Sequence, residues 1–237
     1  QNKVSVMTLD EKYLPTAIVL PYEGHTRQSK LMHMQVAMHD EIYIDLWTQI
    51  IKQKISNQSR ALSIMDMDGS EVVDRYVDNV TIDNVDIMEA LAAKEYFSYY
   101  HEGLNRRSDD QINSRLNYGY AIVRSSIARS LVAAGFHPTF GIHHDSQLNA
   151  FNLADDLIEP YRAIVDVVAH ENIGSNVKLS KSERRAMAYV LHNACMMDGM
   201  KINVMSAINM MVESLKRIIL DKSKEKLQLP LILPIES

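Results

Sequence analysis

The chain has 237 residues, is 46% hydrophobic, and carries 25 basic against 30 acidic residues for a formal net charge of −5. That content supports one large core, or a main domain with a fragment of another. The acidic balance argues against binding nucleic acid through overall charge and leaves a local basic surface as the route to phosphate. One cysteine, Cys195, excludes an internal disulfide, so a reducing, cytoplasmic setting is expected. No apolar run approaches the roughly 20 residues of a membrane span, and no signal peptide is visible, so no membrane association is expected. Gly and Pro are scarce, 8 and 6 residues, which favours helix over tight turns.

Residues 4–9 (VSVMTL) and 16–22 (TAIVLPY) read as two short strands around a DEK turn. A lone hairpin is marginal in water. The pair is therefore expected to be the last piece of a sheet whose earlier strands are missing. A long helix is predicted over about 27–57, capped by Thr26. Leu31, Met34, Met38, Ile42, Leu46 and Ile50 recur at helical spacing, with Trp47 beside the stripe. Lys52, Lys54 and Arg60 read as the solvated basic end of that helix. A short helix is predicted over 70–78.

The next helix starts at Asp83 or Asn84 and runs to about Tyr100. Val85, Ala92, Ala93, Tyr96 and Tyr100 make one face, and Glu89 falls in the middle of it. An acid on a core face is costly unless it is paired, protonated or bound to a metal. A buried salt bridge, to an arginine of a later helix, and a metal ligand are equally good readings on position alone. A polar loop over 101–111 leads to a helix over about 112–134. There Ile112, Leu116, Ile127, Leu131 and Val132 can face the core, the small residues Gly119, Ala121, Ser125 and Ala128 permit close packing, and Gly135 is the stop.

The segment from Gly141 to Pro160, GIHHDSQLNAFNLADDLIEP, holds a histidine pair in a loop, then a helix predicted over about 149–169. Asp156 and Glu159, three residues apart, share one side of it. Ala154, Leu157, Ile158, Tyr161, Val165 and Val168 make the apolar side, away from the acids. Pro160 should kink or break the helix just after Glu159. An ordinary solvated acidic face is the competing reading. After a polar linker, a helix begins at Ser180 or Ser182 and runs to about His192. A last helix spans about 201–222, with Met205, Ile208, Met211, Val212, Leu215, Ile218 and Ile219 as its stripe, and the tail KLQLPLILPIES is extended. The expected architecture is mainly α: a remnant β-hairpin (1–25), a helical domain (26–226) and an extended tail (227–237).

No GxGxxG, GxxxxGK[ST] or HExxH occurs, nor the paired Glu-x-x-His segments of a di-iron bundle. A zinc site of His143, His144 and Cys195 lacks a spacing signature. A Cys195–His192 nucleophilic pair is disfavoured because both are placed at the end of an apolar helix. Adjacent His143 and His144 cannot readily point the same way, so one of them is the candidate ligand. What survives is one imidazole with two or three acids from separate segments. That oxygen-rich set suits Mg²⁺ or Mn²⁺ and phosphate chemistry.

Two stretches, LNYGYAIVRSSIARSLVAAGFHPTFGIHH and NAFNLADDLIEPYR, together with EALAAKEYF, closely resemble the CRISPR-associated adaptation integrase, the DNA-cutting and joining subunit of spacer acquisition, in its type II version. The resemblance runs from about Val4 to Lys226. It implies an amino-terminal β-domain, of which residues 1–25 are the end, before a helical catalytic domain that holds one metal, Mg²⁺ or Mn²⁺, through Glu89, His144 and Glu159, with Asp156 at a further acidic position that binds the metal through water or orients His144. It implies an endonuclease and integrase, in which a fragment's 3′-hydroxyl attacks a phosphodiester of the repeat array. The implied partners are double-stranded DNA, a second copy as a homodimer, and a small ferredoxin-like adaptation subunit. Arg27, Lys30, Arg115 and Arg124 are a loose candidate set for DNA contact. The alternative is a catalytically silent helical DNA-binding or scaffolding protein whose carboxylates are merely paired to arginines.

Overall fold

The computed structural model describes residues 6–11, 13–19, 26–37, 40–101, 110–172, 177–221 and 225–235. The described residues are mainly helical, with two small antiparallel sheets among them. β1 (Val6–Leu9) and β2 (Pro15–Val19) form a hairpin in the register Met7 opposite Ile18. The helices follow: α1 (Thr26–Val36), α2 (Asp40–Ile64), α3 (Ser70–Asn79), α4 (Val85–Tyr100), α5 (Gln111–Ala134), α6 (Asn152–Leu157), α7 (Arg162–Glu171), α8 (Lys181–Ala188) and α9 (Val204–Asp221). A 3₁₀ turn, Glu159–Tyr161, joins α6 to α7, and another, Tyr189–His192, extends α8. No helix among the described residues is long and apolar enough to cross a membrane.

Two long helices carry the packing. α2 buries Leu46, Ile50, Ile51, Ile55 and Leu62, and lies against α3, α4 and α7. α5 buries Leu116, Val123, Ile127 and Leu131 against α7 and α9. Gly119 is the point of closest approach on α5: a Cβ there would stand 2.5 Å from Val165 Cγ1 of α7. Asp110 caps α5 by accepting from Asn113 N at 2.8 Å, and Gly135 closes it with φ 97°. Buried Asp166 of α7 ties three elements together. It accepts from Tyr96 Oη of α4 at 2.8 Å and from Tyr120 Oη of α5, while its carbonyl takes Tyr100 Oη at 2.9 Å. These bonds fix the roll of α4, and with it the direction in which Glu89 projects.

Three predicted elements need correction. The helix expected over 27–57 is two helices, broken at Ala37, and the second runs on to Ile64. The physical reason is divided loyalty. α1 packs on α9, whereas α2 packs on α3 and α4, and the buried side chain of Gln35 is held by His137 O and Phe140 O at 2.9 and 3.0 Å. The helix expected over 149–169 is broken twice around Pro160, into α6, the 3₁₀ turn and α7. The helix expected from 201 is preceded by an unpredicted hairpin, β3 (Ala194–Met197) and β4 (Met200–Asn203). Its two-residue loop, Asp198-Gly199, has positive φ at both positions, 50° and 76°, the type I′ signature. Cys195 therefore sits on a strand, buried, with its thiol pushed up to about 11 by that burial.

The tail packs onto the helices. β5 (Leu231–Ile232) pairs with β3, giving the strand order β4-β3-β5, and Leu227 and Ile232 are buried. Asn57, in the middle of α2, donates to Pro160 O at 2.7 Å and to Pro230 O at 2.8 Å. One buried amide thus fastens both the tail and the turn that carries Glu159. Residues 102–109 of the expected polar loop and 173–176 of the linker lie outside the described residues.

Candidate active site

Four elements converge beneath α2: α4 with Asp86 and Glu89, the loop between α5 and α6 with the histidine pair, the 3₁₀ turn with Glu159, and the start of α7 with Arg162. Trp47 of α2 forms the wall. It is buried, and its indole Nε1 donates to Asp86 Oδ1 at 2.9 Å. The His143 ring stacks flat on the Trp47 ring, 4.3 Å between centroids and 1° between planes, with Nε2 3.7 Å from Asp86 Oδ1. The His144 ring stands edge-on to Trp47 at 6.1 Å and 86°. The two imidazoles are 87° apart, so they face different surroundings.

Asp156 is the anchor of the histidine loop. It is 0% exposed. Its Oδ2 accepts from Ile142 N at 2.6 Å and His143 N at 3.0 Å, and its Oδ1 accepts from His144 N at 3.2 Å. The same Oδ1 lies 2.5 Å from His144 Nδ1. With the Nδ1 proton given to Asp156, Nε2 is left carrying the lone pair, the arrangement that prepares a histidine to bind a cation. The hydrogen bond to Asp156 raises the His144 pKa above its ordinary value. Burial opposes the shift, and the charges of Asp156 and Glu159 add to it.

Gly141 makes this loop possible. A Cβ there would sit 2.1 Å from His144 O and 2.7 Å from Asp156 Oδ2. Gly141→Ala is expected to cost about 1–3 kcal/mol through a backbone shift. Because the shifted atoms belong to the His144–Asp156 pair, it should also disturb the His144 ring. Parallel thermal melts and the NMR titration of the His144 imidazole check this; unchanged values for both would show that the loop has slack the geometry does not indicate.

Glu159 is 6% exposed. Arg162 Nε donates to its Oε1 at 2.8 Å. Lys54 Nζ lies 2.6 Å from its Oε2, so the ammonium is the partner of this buried oxygen. The same ammonium donates to Glu89 Oε1. One cation therefore holds a carboxylate from α4 and a carboxylate from the turn. Burial would push the Glu159 pKa up, but Lys54 and Arg162 more than offset it and bring it to about 2. Burial would likewise lower the Lys54 pKa, but the charges of Glu159 and Glu89 leave it above the ordinary value.

Several sequence expectations are corrected here. Lys54 is not part of a solvated helix end. It lies mid-helix, with its side chain 9% exposed, at the centre of the site. The partner of Glu89 is this lysine of an earlier helix rather than an arginine of a later one. Asp156 and Glu159 do not form a solvated face, because the histidine loop covers the first and α2 the second. Arg115 is 0% exposed, with its guanidinium on Glu183 and on the carbonyls of Asn172 and Gln111, so it cannot reach DNA. Arg124 is engaged by Asp155 and lies over the Phe151 ring. Lys30 is exposed on α1, and the Arg27 side chain lies outside the described residues. Two residues were missed. Arg162 had a signal in the sequence, a lone long cation in the apolar and acidic stretch EPYRAIVDVV, whereas Lys54 sits among Lys52, Gln53, Ser56 and Asn57 and had none.

A divalent ion suits the donor chemistry of this site. Two carboxylates converge on one cation, and an imidazole with its second nitrogen committed to an acid stands near enough to feel the Glu159 charge. As the side chains stand, no three His, Cys, Asp or Glu groups among the described residues are gathered closely enough to ligate an ion. The cation between the carboxylates is the Lys54 ammonium.

Comparison with known proteins bears on what this arrangement does. The family model described as CRISPR associated protein Cas1 matches residues 1–198. The CRISPR-associated endonuclease Cas1 of Neisseria meningitidis serogroup C (strain 8013) is 31% identical over 244 residues, covering 100% of this chain and 79% of that protein. Among solved structures, a casposase bound to integration product superposes with a TM-score of 0.76 at 19% identity, over 94% of this chain and 77% of that one. A Cas6-RT-Cas1–Cas2 complex matches with a TM-score of 0.68 at 18% identity, over 98% of this chain and 30% of that one. These structural likenesses are of fold.

Proposed function

The chain belongs to the Cas1 family of CRISPR-associated proteins, and on that footing we propose that it is a spacer-integrating DNA nuclease, a divalent-metal-dependent endonuclease and integrase. The observation that carries the reading is the meeting of Glu89 and Glu159 on one buried cation beside a histidine whose Nδ1 is tied to Asp156. Such a constellation has little use in a scaffold and a clear one in phosphate chemistry.

The reaction is a transesterification. A 3′-hydroxyl oxygen of the incoming fragment forms a bond to an array phosphorus, the bond from that phosphorus to its former 3′-oxygen breaks, and the proton of the attacking hydroxyl is transferred away. One ester replaces another, so no external energy source is needed. Glu89, His144 and Glu159 would hold Mg²⁺ or Mn²⁺, which when bound polarises a phosphoryl oxygen and makes the attacking hydroxyl more acidic. Asp156 keeps the His144 ring in one orientation and one tautomer. Arg162 restrains Glu159 from the opposite side and leaves its other oxygen facing the site. The Trp47–His143 stack closes one wall. The proposed partners are double-stranded DNA, a second copy of the chain, and a small ferredoxin-like adaptation subunit. The casposase on its integration product and the Cas2-containing complex support that reading by their folds.

One observation favours the silent-scaffold alternative: Lys54 already pairs with both carboxylates. A plasmid integration assay decides. With a short duplex bearing 3′-hydroxyl ends and Mg²⁺ or Mn²⁺, joined product is expected, and excess chelator should abolish it. Product that persists in excess chelator would contradict the proposal.

A further inference from the structure

The Lys54 ammonium occupies the position between Glu89 and Glu159 where a bound ion would bring the same charges together. Without a cation there, two carboxylates would face each other, Glu159 almost fully buried and Glu89 about a quarter exposed, an arrangement that burial and like charge both penalise. Lys54 reaches this place from the middle of α2, flanked by the buried side chains of Ile51 and Ile55. Its backbone cannot easily move, whereas its four-carbon stem can swing. Glu159 remains anchored by Arg162 when the ammonium leaves, and Glu89 remains anchored by α4. The acids are thus held by independent elements.

We propose that Lys54 is a placeholder cation: it keeps Glu89 and Glu159 converged before a divalent ion binds, competes with that ion for them, and is released toward the substrate face when the ion takes its place. The proposal rests on the metal reading of the site. It assigns Lys54 a positioning role rather than a purely structural one, because the two roles predict opposite signs. A structural lysine that holds the ligands in place would, on removal, leave a weaker metal site. A placeholder that competes with the ion would, on removal, leave a tighter one.

The test is titration calorimetry of Mn²⁺ into the full chain and into Lys54→Met, which keeps an unbranched apolar stem and removes the ammonium. Lys54→Met should bind Mn²⁺ at least about fivefold more tightly than wild type, the lower end of ordinary coupling between sites. It should melt lower than wild type without metal and regain most of the difference in saturating Mn²⁺. Lys54→Arg, which retains the charge, should not tighten binding. A second measurement uses wild type alone and so survives a variant that fails to fold. Acylation of Lys54 by a water-soluble N-hydroxysuccinimide ester, read by mass spectrometry, should be slow without metal and rise several-fold on adding Mn²⁺. If wild type binds Mn²⁺ but Lys54→Met binds no more tightly, or if Lys54 labelling does not respond to Mn²⁺, the placeholder role is overturned while the metal reading stands. If neither form binds Mn²⁺, the metal reading falls and this proposal falls with it.

Discussion

Glu89→Ala and His144→Ala should each lose strand transfer and cleavage by about 10²–10³-fold or more, the scale set by removing a group placed against developing charge, while folding and DNA binding survive. The separation is expected because neither side chain supports the core. The Glu89 side chain is 27% exposed and that of His144 is 49% exposed, so truncation leaves no internal cavity. Lys54 keeps Glu159 as its partner when Glu89 is gone. His143→Ala is the control within the same loop. Its ring rests on Trp47, and only its backbone N–H touches Asp156, so its loss should reduce activity far less. Integration rates, melting temperature and DNA affinity, measured side by side, check all three variants. Wild-type-like integration by Glu89→Ala would remove this site from the chemistry.

Glu159→Ala should behave differently, because it damages the fold as well as the reaction. Removing a nearly buried carboxylate leaves Lys54 and Arg162 short of their shared partner, and breaking a buried pair in this way costs about 3–5 kcal/mol. Glu89→Ala should cost no more than about 2 kcal/mol. The same argument fixes a pH dependence. The folded pKa of Glu159 is depressed to about 2, against an ordinary value near 4.3. A depressed acid contributes its stability in full above the unfolded pKa and loses it as pH falls through the folded one. The contribution, roughly 3 kcal/mol, should therefore be complete at neutral pH and fade between about pH 4.5 and 2. Urea unfolding of wild type and Glu159→Gln at pH 7, 4 and 3 reads this directly: the stability gap should narrow as pH falls. Other depressed acids such as Glu183 are shared by both proteins and cancel in the difference. A gap that stays constant from pH 7 to 3 would show that the Glu159 charge contributes nothing to folding.

The helical class and most element positions were legible because apolar spacing survives any tertiary arrangement. The stripe of Val85, Ala92, Tyr96 and Tyr100 is buried as the periodicity implied, and the incongruity of Glu89 on it was the clearest single clue to the site. Three features were less accessible for definite reasons. Helical projection assumes one helix through Glu159, whereas α6 ends at Leu157 and Glu159 stands in the 3₁₀ turn; nor can it show that the histidine loop covers Asp156 and α2 covers Glu159. Lys54 looked like the end of a helix because the stripe from Leu31 to Ile50 fades before Asn57. In fact α2 continues to Ile64 through Asn57 and Gln58, buried polar residues that periodicity scores as surface. Arg115 looked like a basic surface residue because its partner Glu183 lies beyond the following two helices in sequence. The Asp198-Gly199 hairpin, by contrast, was available: an Asp-Gly pair between methionines and an alternating apolar segment is a strong local turn signal.

The account rests on Glu89, His144 and Glu159 sharing one divalent ion, and the most direct measurement is anomalous scattering from crystals soaked in Mn²⁺. The account predicts a single strong peak within coordination distance of a Glu89 carboxylate oxygen, His144 Nε2 and a Glu159 carboxylate oxygen, with the Lys54 ammonium moved out from between the two acids and Asp156 still on His144 Nδ1. Saturating Mn²⁺ with no peak at these three side chains, and Lys54 still seated between Glu89 and Glu159 in a protein that integrates DNA under the same conditions, would contradict it.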